Sequence, residues 1–407
     1  MLLNSKPFTI AHLDHVANKK FHLALFYLLS PYNLLPVKEL LKSLITAQST
    51  SEKGELQTAE IIRRHLADRG ITSLVTSWDE NRANIVAHIK SARYKPALLF
   101  VCHLDVVPPG EAQWKYPPFA AVEKDGKIYG RGSADMKGPI AALVTAIEKT
   151  VSSGAELKGD ILFVAAAGEE TDSCGIKRFL TEYKDTLPRL AGIIVPEPTN
   201  FEVITAHRGL LWLEVITKGR AAHGSMPHLG VNAIKSMRLF LDELERLDLA
   251  AEKHNLLGDY SMSVNTISAG KAVNVVPDLC TVRIDMRTLP KQNHAEVISK
   301  FRAIFDRLKP ANPDFDAEVR AIRDVQSLET DSNCEFVKEF CLAINRKNTT
   351  SAGFCTDGPF LAPLGAPIVI FGPGRSELAH KPDEYIELAN LEKGAGAYTA
   401  ILRHFLR

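Results

Sequence analysis

The chain has 407 residues, 45% hydrophobic and 24% charged, with a formal net charge of +1. That length exceeds a single hydrophobic core and points to two domains of ordinary globular composition. The near-zero charge excludes a polybasic field, and with it nucleic acid or an anionic membrane surface as the main partner.

Near the start, Lys19-Lys20 precedes FHLALFYLLS, which superficially resembles a signal peptide. The apolar run is only about ten residues, too short to span a bilayer, and it contains His22 and is cut by Pro31. Residues 1–36 are therefore expected to be an N-terminal extension, either a helix packed on the first domain or a poorly ordered segment. Cys102, Cys174, Cys280, Cys334, Cys341 and Cys355 are scattered without a C-x-x-C pair. A disulfide framework is not expected, and a reducing cytoplasm is the simplest location.

From Val37 the text becomes regular. Helices are predicted over 37–47 and 51–70, the second with Leu56, Ala59, Ile62 and Leu66 on its apolar face and Gly70 as C-cap. Strands are predicted at 72–77, 84–89 and 98–102, the last wholly apolar and suited to burial on both sheet faces. At its end stand His103 and Asp105. A strand repeats every two residues, so both side chains would leave on one face, where a carboxylate can brace a histidine that binds something else. Asp135 follows in GRGSADMKG, ahead of a helix expected from Pro139 to about 152.

The strand at 161–167 ends in Gly168-Glu169-Glu170. Neighbouring strand residues point to opposite faces, so both glutamates can serve one site only where the strand stops. Two carboxylates held together tend to split roles, one on a cation and the other kept as a base. A helix over 175–183 leads to a strand over 191–200, which carries Glu197 between Pro196 and Pro198. Strands alternating with helices indicate an α/β sheet whose site lies along the carboxyl edge.

After Asn200 the texture changes to strand 209–219, helix 231–247, strands 261–270 and 280–288, helix 295–308 and a strand near 315–321. That β-α-β-β-α-β order is ferredoxin-like. Within it, His223 in GRAAHGSMPH could donate to a developing oxyanion, or equally be a turn histidine capping the following helix. Asn274 and Arg287 could bind a substrate carboxylate, the arginine through a two-pronged hydrogen bond. From about Asp331 the α/β texture returns, with a helix at 334–345, a strand at 367–371, His380 after GPGRSE, and a helix at 388–405. The expected fold class is thus α/β: a mixed-sheet domain from 37–205 and 322–407, carrying an inserted α+β ferredoxin-like domain at 206–321. Two histidines and several carboxylates on loops after apolar strands suit zinc, and a shared carboxylate suits a two-metal site about 3.5–4 Å across.

On HLDVVPPGEAQWKYPPF and GRGSADMKG above all, the chain from about Val37 onward resembles the M20 metallopeptidase family, in the branch of acetylornithine deacetylases and succinyl-diaminopimelate desuccinylases. The resemblance implies a zinc-hydrolase catalytic domain with two zinc ions per subunit, for which cobalt or manganese could stand in. It implies that His103 and Glu197 hold one ion and Glu170 and His380 the other, with Asp135 bridging them. Asp105 would orient His103, and Glu169 would be the general base. It also implies a homodimer through the inserted lid domain, with His223 reaching the partner subunit's site as oxyanion donor. The reaction implied is hydrolysis of the amide of an N-acyl amino acid of the N-acetylornithine or N-succinyl-diaminopimelate type. A di- or tripeptidase or carboxypeptidase on the same metals is the competing reading, and a non-catalytic metal-binding homologue the third. The His103–Gly138 stretch is nearest the desuccinylases. Those usually carry Arg-Arg-Gly-Ser where this chain has His207-Arg208-Gly209-Leu210, and an arginine where it has Pro359. FCTDGPFL and GPGRSELAHKPDEYIE instead resemble the deacetylases.

Overall fold

The structure, a computed structural model, describes residues 36–92, 94–249 and 252–407. The expected N-terminal extension lies outside the described residues except for Pro36. The chain forms two compact units. The first takes the chain up to Thr205, then Thr330–Thr350 and Thr356–Arg407; the second takes Ala206–Glu329 and Ser351–Cys355.

The first unit opens with helices α1 (Pro36–Thr46) and α2 (Leu56–Ala67). α2 begins later than its polarity pattern predicts, because the chain turns first: the Gly54 amide returns to the Thr50 carbonyl and Gly54 takes a φ of +72°. Strands β1 (Ser73–Trp78), β2 (Arg82–Ile89) and β3 (Ala97–His103) follow, then the short β4 (Val122–Lys124) and β5 (Lys127–Tyr129). Helix α3 (Lys137–Ser152), β6 (Ile161–Ala166), α4 (Cys174–Tyr183), β7 (Leu190–Val195) and β8 (Ile204–His207) come next. The wholly apolar runs of β3 and β6 are buried at every residue, as strands covered on both faces must be. β7 stops at Val195, short of the predicted end at 200, since Pro196 and Pro198 lack the N–H a ladder needs.

The chain then builds the second unit from β9 (Gly209–Lys218), α5 (Ala233–Leu244), β10 (Ser261–Ala269), β11 (Leu279–Thr288), α6 (His294–Leu308), β12 (Asp316–Val325) and β13 (Leu328–Glu329). Its antiparallel sheet runs β10-β11-β9-β12, the ferredoxin-like arrangement. Leu211, Leu213 and Val215 of β9 and Val282 and Ile284 of β11 face Met237, Phe240 and Phe301 from α5 and α6. β12 continues past the predicted Ala321 to Val325 through an irregularity between Ala321 and Arg323. β10 forms the outer edge and is exposed along most of its length.

On its return the chain adds α7 (Glu335–Ala343), β14 (Thr350–Ala352), β15 (Ile368–Ile370), β16 (Tyr385–Glu387) and α8 (Leu388–Leu406). The large sheet has the order β1-β2-β6-β3-β7-β15-β8-β13, with β14 on β8. It is mixed: β6, β3, β7 and β15 run parallel, flanked by antiparallel pairs. A core of α1, α3 and α8 side chains covers it, including Leu41, Leu44, Ile140, Leu143, Ile147, Tyr398 and Leu402. Because the four central strands are parallel, their carboxyl ends share one edge. Register pairs His103 with Ala166 and Phe100 with Ile194, so the loops after β3, β6 and β7 leave the sheet side by side.

Candidate metal centre

The parallel edge gathers the residues the sequence singles out. His103 ends β3, Glu169 and Glu170 follow β6 in a tight turn, and Glu197 follows β7. Asp135 precedes α3 in the glycine-punctuated loop, where the Asp135–Met136 peptide is cis. His380 comes from the loop between β15 and β16. Two sets of potential ligand atoms result, His103/Asp135/Glu197 and Asp135/Glu170/His380, each with all its atoms within 4.8 Å of one another. Asp135 belongs to both, and it uses a different oxygen for each. Its Oδ1 lies 3.1 Å from His103 Nε2 and its Oδ2 3.4 Å from His380 Nε2. His380 Nε2 is also 2.8 Å from Glu170 Oε1, and His103 Nε2 is 4.0 Å from Glu197 Oε1.

The donor chemistry fits a divalent cation in each set. His103 Nδ1 sits 3.0 Å from the Asp105 carbonyl oxygen, an acceptor only, so Nδ1 carries a proton, and Nε2, 3.1 Å from Asp135 Oδ1, is the nitrogen a cation would take in place of a proton. The electrostatics point the same way. Burial pushes Glu197 up to about 8, with Asp135, Glu170 and Asp357 adding to the effect against the pull of His103. Burial likewise raises Glu170, against its bond to His380. Burial works against charge on Asp135 too, but His103 and His380 together hold its carboxyl below the usual range. The Asp135 and Glu170 carboxylates push His380 up to about 10. A cluster of buried carboxylates borrows protons from its two histidines; positive ions would supply the same balance without them.

Glu169 is partly buried beside this cluster. Burial raises its carboxyl well above the ordinary range, and Asp357, Glu170 and Glu197 reinforce that against the His103 imidazole. The Glu169-Glu170 turn is held by Asp105, whose Oδ1 accepts the Glu169 N–H at 3.1 Å and whose Oδ2 accepts the Glu170 N–H at 3.0 Å. The Asp105 carboxylate stands 3.6 Å from His103 Nδ1, farther than its own backbone oxygen. Gly168 takes φ +77°, and a side chain there would strike Arg82 Nη2.

His223, Asn274 and Arg287 belong to the second unit. His223 is exposed and bridges Val275, while the Asn274 carbonyl accepts the Gly224 N–H at 2.7 Å, so these two segments are neighbours. The Ser225 N–H donates to His223 Nδ1 at 3.2 Å, which places the proton of the neutral ring on Nε2. α5 is capped by Asn232, whose side chain accepts from Ile234 and Lys235, and not by His223. Arg287 is clasped by Asp285, with Nε to Oδ1 at 2.9 Å and Nη2 to Oδ2 at 3.1 Å.

Sequence reasoning passed over Arg131, Asp357 and Glu384. All three are buried, and all lie inside the motif stretches GRGSADMKG, FCTDGPFL and AHKPDEY. A charged residue within a motif that is otherwise about metal ligands was the available signal. Met136 was missed as well; its Sδ accepts the His103 N–H at 3.0 Å.

Among known proteins, a probable succinyl-diaminopimelate desuccinylase of Staphylococcus epidermidis is 30% identical over 372 residues, covering 83% of this chain and 90% of the relative. An acetylornithine deacetylase of Myxococcus xanthus is 28% identical over 376 residues, covering 90% and 96%. In fold the chain matches an M20 family metallo-carboxypeptidase, Sso-CP2 of Sulfolobus solfataricus, at a TM-score of 0.75 and 19% identity, covering 91% of this chain and 99% of that one. It also matches a dinuclear metal-binding M20 peptidase of Bacillus subtilis at a TM-score of 0.67 and 17% identity, covering 90% and 97%. Residues 99–404 match the peptidase family M20/M25/M40. The chain belongs to that family, and it is a metallohydrolase that acts on amide bonds.

Proposed function

We propose that the protein removes the acyl group from an N-acyl amino acid, of the N-acetylornithine or N-succinyl-diaminopimelate type, releasing a carboxylate and a free amine. The observation that carries this reading is the pair of ligand sets sharing Asp135 with Glu169 beside them. His103 and Glu197 would hold one ion and Glu170 and His380 the other, with Asp135 between. The ions, zinc in this reading with cobalt or manganese acceptable to the same donors, would polarise the amide carbonyl and lower the pKa of water. Glu169 takes a proton from the attacking water and hands it to the nitrogen of the leaving amine. His223, with Nδ1 engaged by Ser225, has Nε2–H available for the carbonyl oxygen as it gains charge. Asn274 and Arg287 serve the carboxylate of the substrate, which at Arg287 competes with Asp285.

The same reading includes a homodimer formed through the second unit, with His223 donated to the partner subunit's site. The exposed outer strand β10, with Val264 and Ile267 turned to solvent, supports it, because an open apolar edge is a template for pairing. Sedimentation of the full chain as a monomer would count against it. Cysteines that form no disulfide among the described residues suit a reducing cytoplasm; among the described residues, no helix is long and apolar enough to cross a membrane.

The test is a panel of N-acetylornithine, N-succinyl-diaminopimelate and dipeptides on zinc-loaded protein, run beside Glu169→Ala. The wild type is expected to turn over an N-acyl amino acid, and the variant to keep its metal while losing at least about a thousandfold in turnover. Preferential cleavage of dipeptides would move the assignment to a peptidase. Turnover by the variant with metal content intact would remove Glu169 from the role of base.

A further inference from the structure

Arg131 and Glu384 form a charged pair beside the candidate ligands that the proposed chemistry leaves unused. They are 2% and 1% exposed. Arg131 Nη1 donates to Glu384 Oε2 at 2.7 Å, while Glu384 Oε1 accepts the N–H of Ala134 at 2.9 Å and of Asp135 at 3.1 Å. Arg131 also reaches the carbonyls of Lys381 at 3.3 Å and Pro108 at 3.5 Å, and its guanidinium lies 5.1 Å from the Trp114 ring centre. Next in the chain to Glu384, Asp383 Oδ1 accepts the Lys115 N–H at 2.8 Å. The loop after β3, the Trp114 segment, the Asp135 loop and the His380 loop therefore converge on one ion pair.

Burying two charges costs desolvation that their attraction repays only with full hydrogen bonding, and well-packed apolar residues often do as well. Stability alone is therefore a weak reason for this pair. The geometry gives a better one. One oxygen of Glu384 neutralises Arg131, and the other takes two successive amides, the second belonging to the residue common to both ligand sets. On the far side, Arg131 holds the carbonyl of Lys381, the residue after His380, whose own φ of +63° is uncommon outside glycine.

We propose that Arg131 and Glu384 are positioning residues that hold Asp135 and His380 at a fixed separation, so that two cations can share one carboxylate; the proposal rests on reading those two residues as ligands. Groups outside the ligand set that orient it are worth about tenfold to a hundredfold in metal affinity. The pair should matter that much.

The experiment uses the full chain, freed of metal with a chelator, and titrates it with zinc alone by calorimetry. Metal per chain is counted after dialysis, and unfolding of the same samples is followed without metal. Arg131→Lys keeps the charge but loses the planar fork; Glu384→Gln keeps one acceptor oxygen but faces Arg131 with an amide. Both are expected to bind zinc about tenfold to a hundredfold more weakly than the wild type at a temperature where each is fully folded. Wild-type zinc affinity together with a lowered melting temperature would show a purely structural pair and overturn the proposal. If Glu384→Gln does not fold, Arg131→Lys decides. His380→Ala separates the two levels of inference. Undiminished zinc binding there would overturn the ligand reading and this proposal with it. Loss there, with wild-type binding in both pair variants, would overturn this proposal alone.

Discussion

Asp105 shows how far spacing alone carries at the scale of a residue. Its place two after His103 was legible, and the spacing predicts a carboxylate brace there. The spacing could not say how it braces, because β3 ends at His103 and strand alternation does not continue to Asp105. The structure gives its backbone carbonyl to His103 and both its carboxylate oxygens to the amides of Glu169 and Glu170. That second link joins the ends of β3 and β6, which only the sheet order brings together. Asp105→Asn would keep one acceptor and turn an NH2 toward the other amide, leaving a buried donor unmatched at a cost of about 1–3 kcal/mol. Turnover is expected to fall about tenfold to a hundredfold as Glu169 shifts. Zinc affinity should fall less, since the carbonyl bond to His103 survives. Steady-state rates and zinc titration on the same preparation check both.

Elements were legible where hydrophobic runs are long and obscure where they are short. The central strands and the amphipathic α5 and α6 could be read from period and composition. β4, β5, β14 and β16 span three residues each, too few for any period to register. Their pairing depends on partners distant in the chain. Gly192 in β7 shows how one element makes room for another. A Cβ there would lie 2.1 Å from Cζ of Phe336 on α7, so the missing side chain is what admits the ring. Gly192→Ala is expected to cost about 1–3 kcal/mol through overpacking. Phe336→Leu in the same background should recover part of that loss. Denaturant unfolding of the two single variants and the double variant measures the coupling.

At the scale of the whole molecule, acid sensitivity has a source away from the ligands. His207, at the end of β8, is fully buried, and burial pulls its pKa down to about 4 from 6.5, with its bond to the Arg208 carbonyl opposing. A depressed folded-state pKa means that the unfolded chain takes up the proton first. Stability is therefore complete above about pH 6.5 and declines as pH falls toward 4, by up to about 3 kcal/mol. His207→Gln should flatten that decline, read as a smaller difference in denaturant midpoint between pH 7 and pH 4.5. Chain order has a further consequence at this scale. All but one of the candidate ligands precede the second unit, and His380 follows it. A ribosome emitting this chain would release His103, Asp135, Glu170 and Glu197, then the whole ferredoxin-like unit, and only afterwards β15 and the loop that closes the second set. Domains tend to fold as they emerge, so the nascent protein would assemble one candidate ligand set long before the other. On the proposed two-ion reading, metal capture by both candidate sets together would be a step of maturation, reserved for the finished chain.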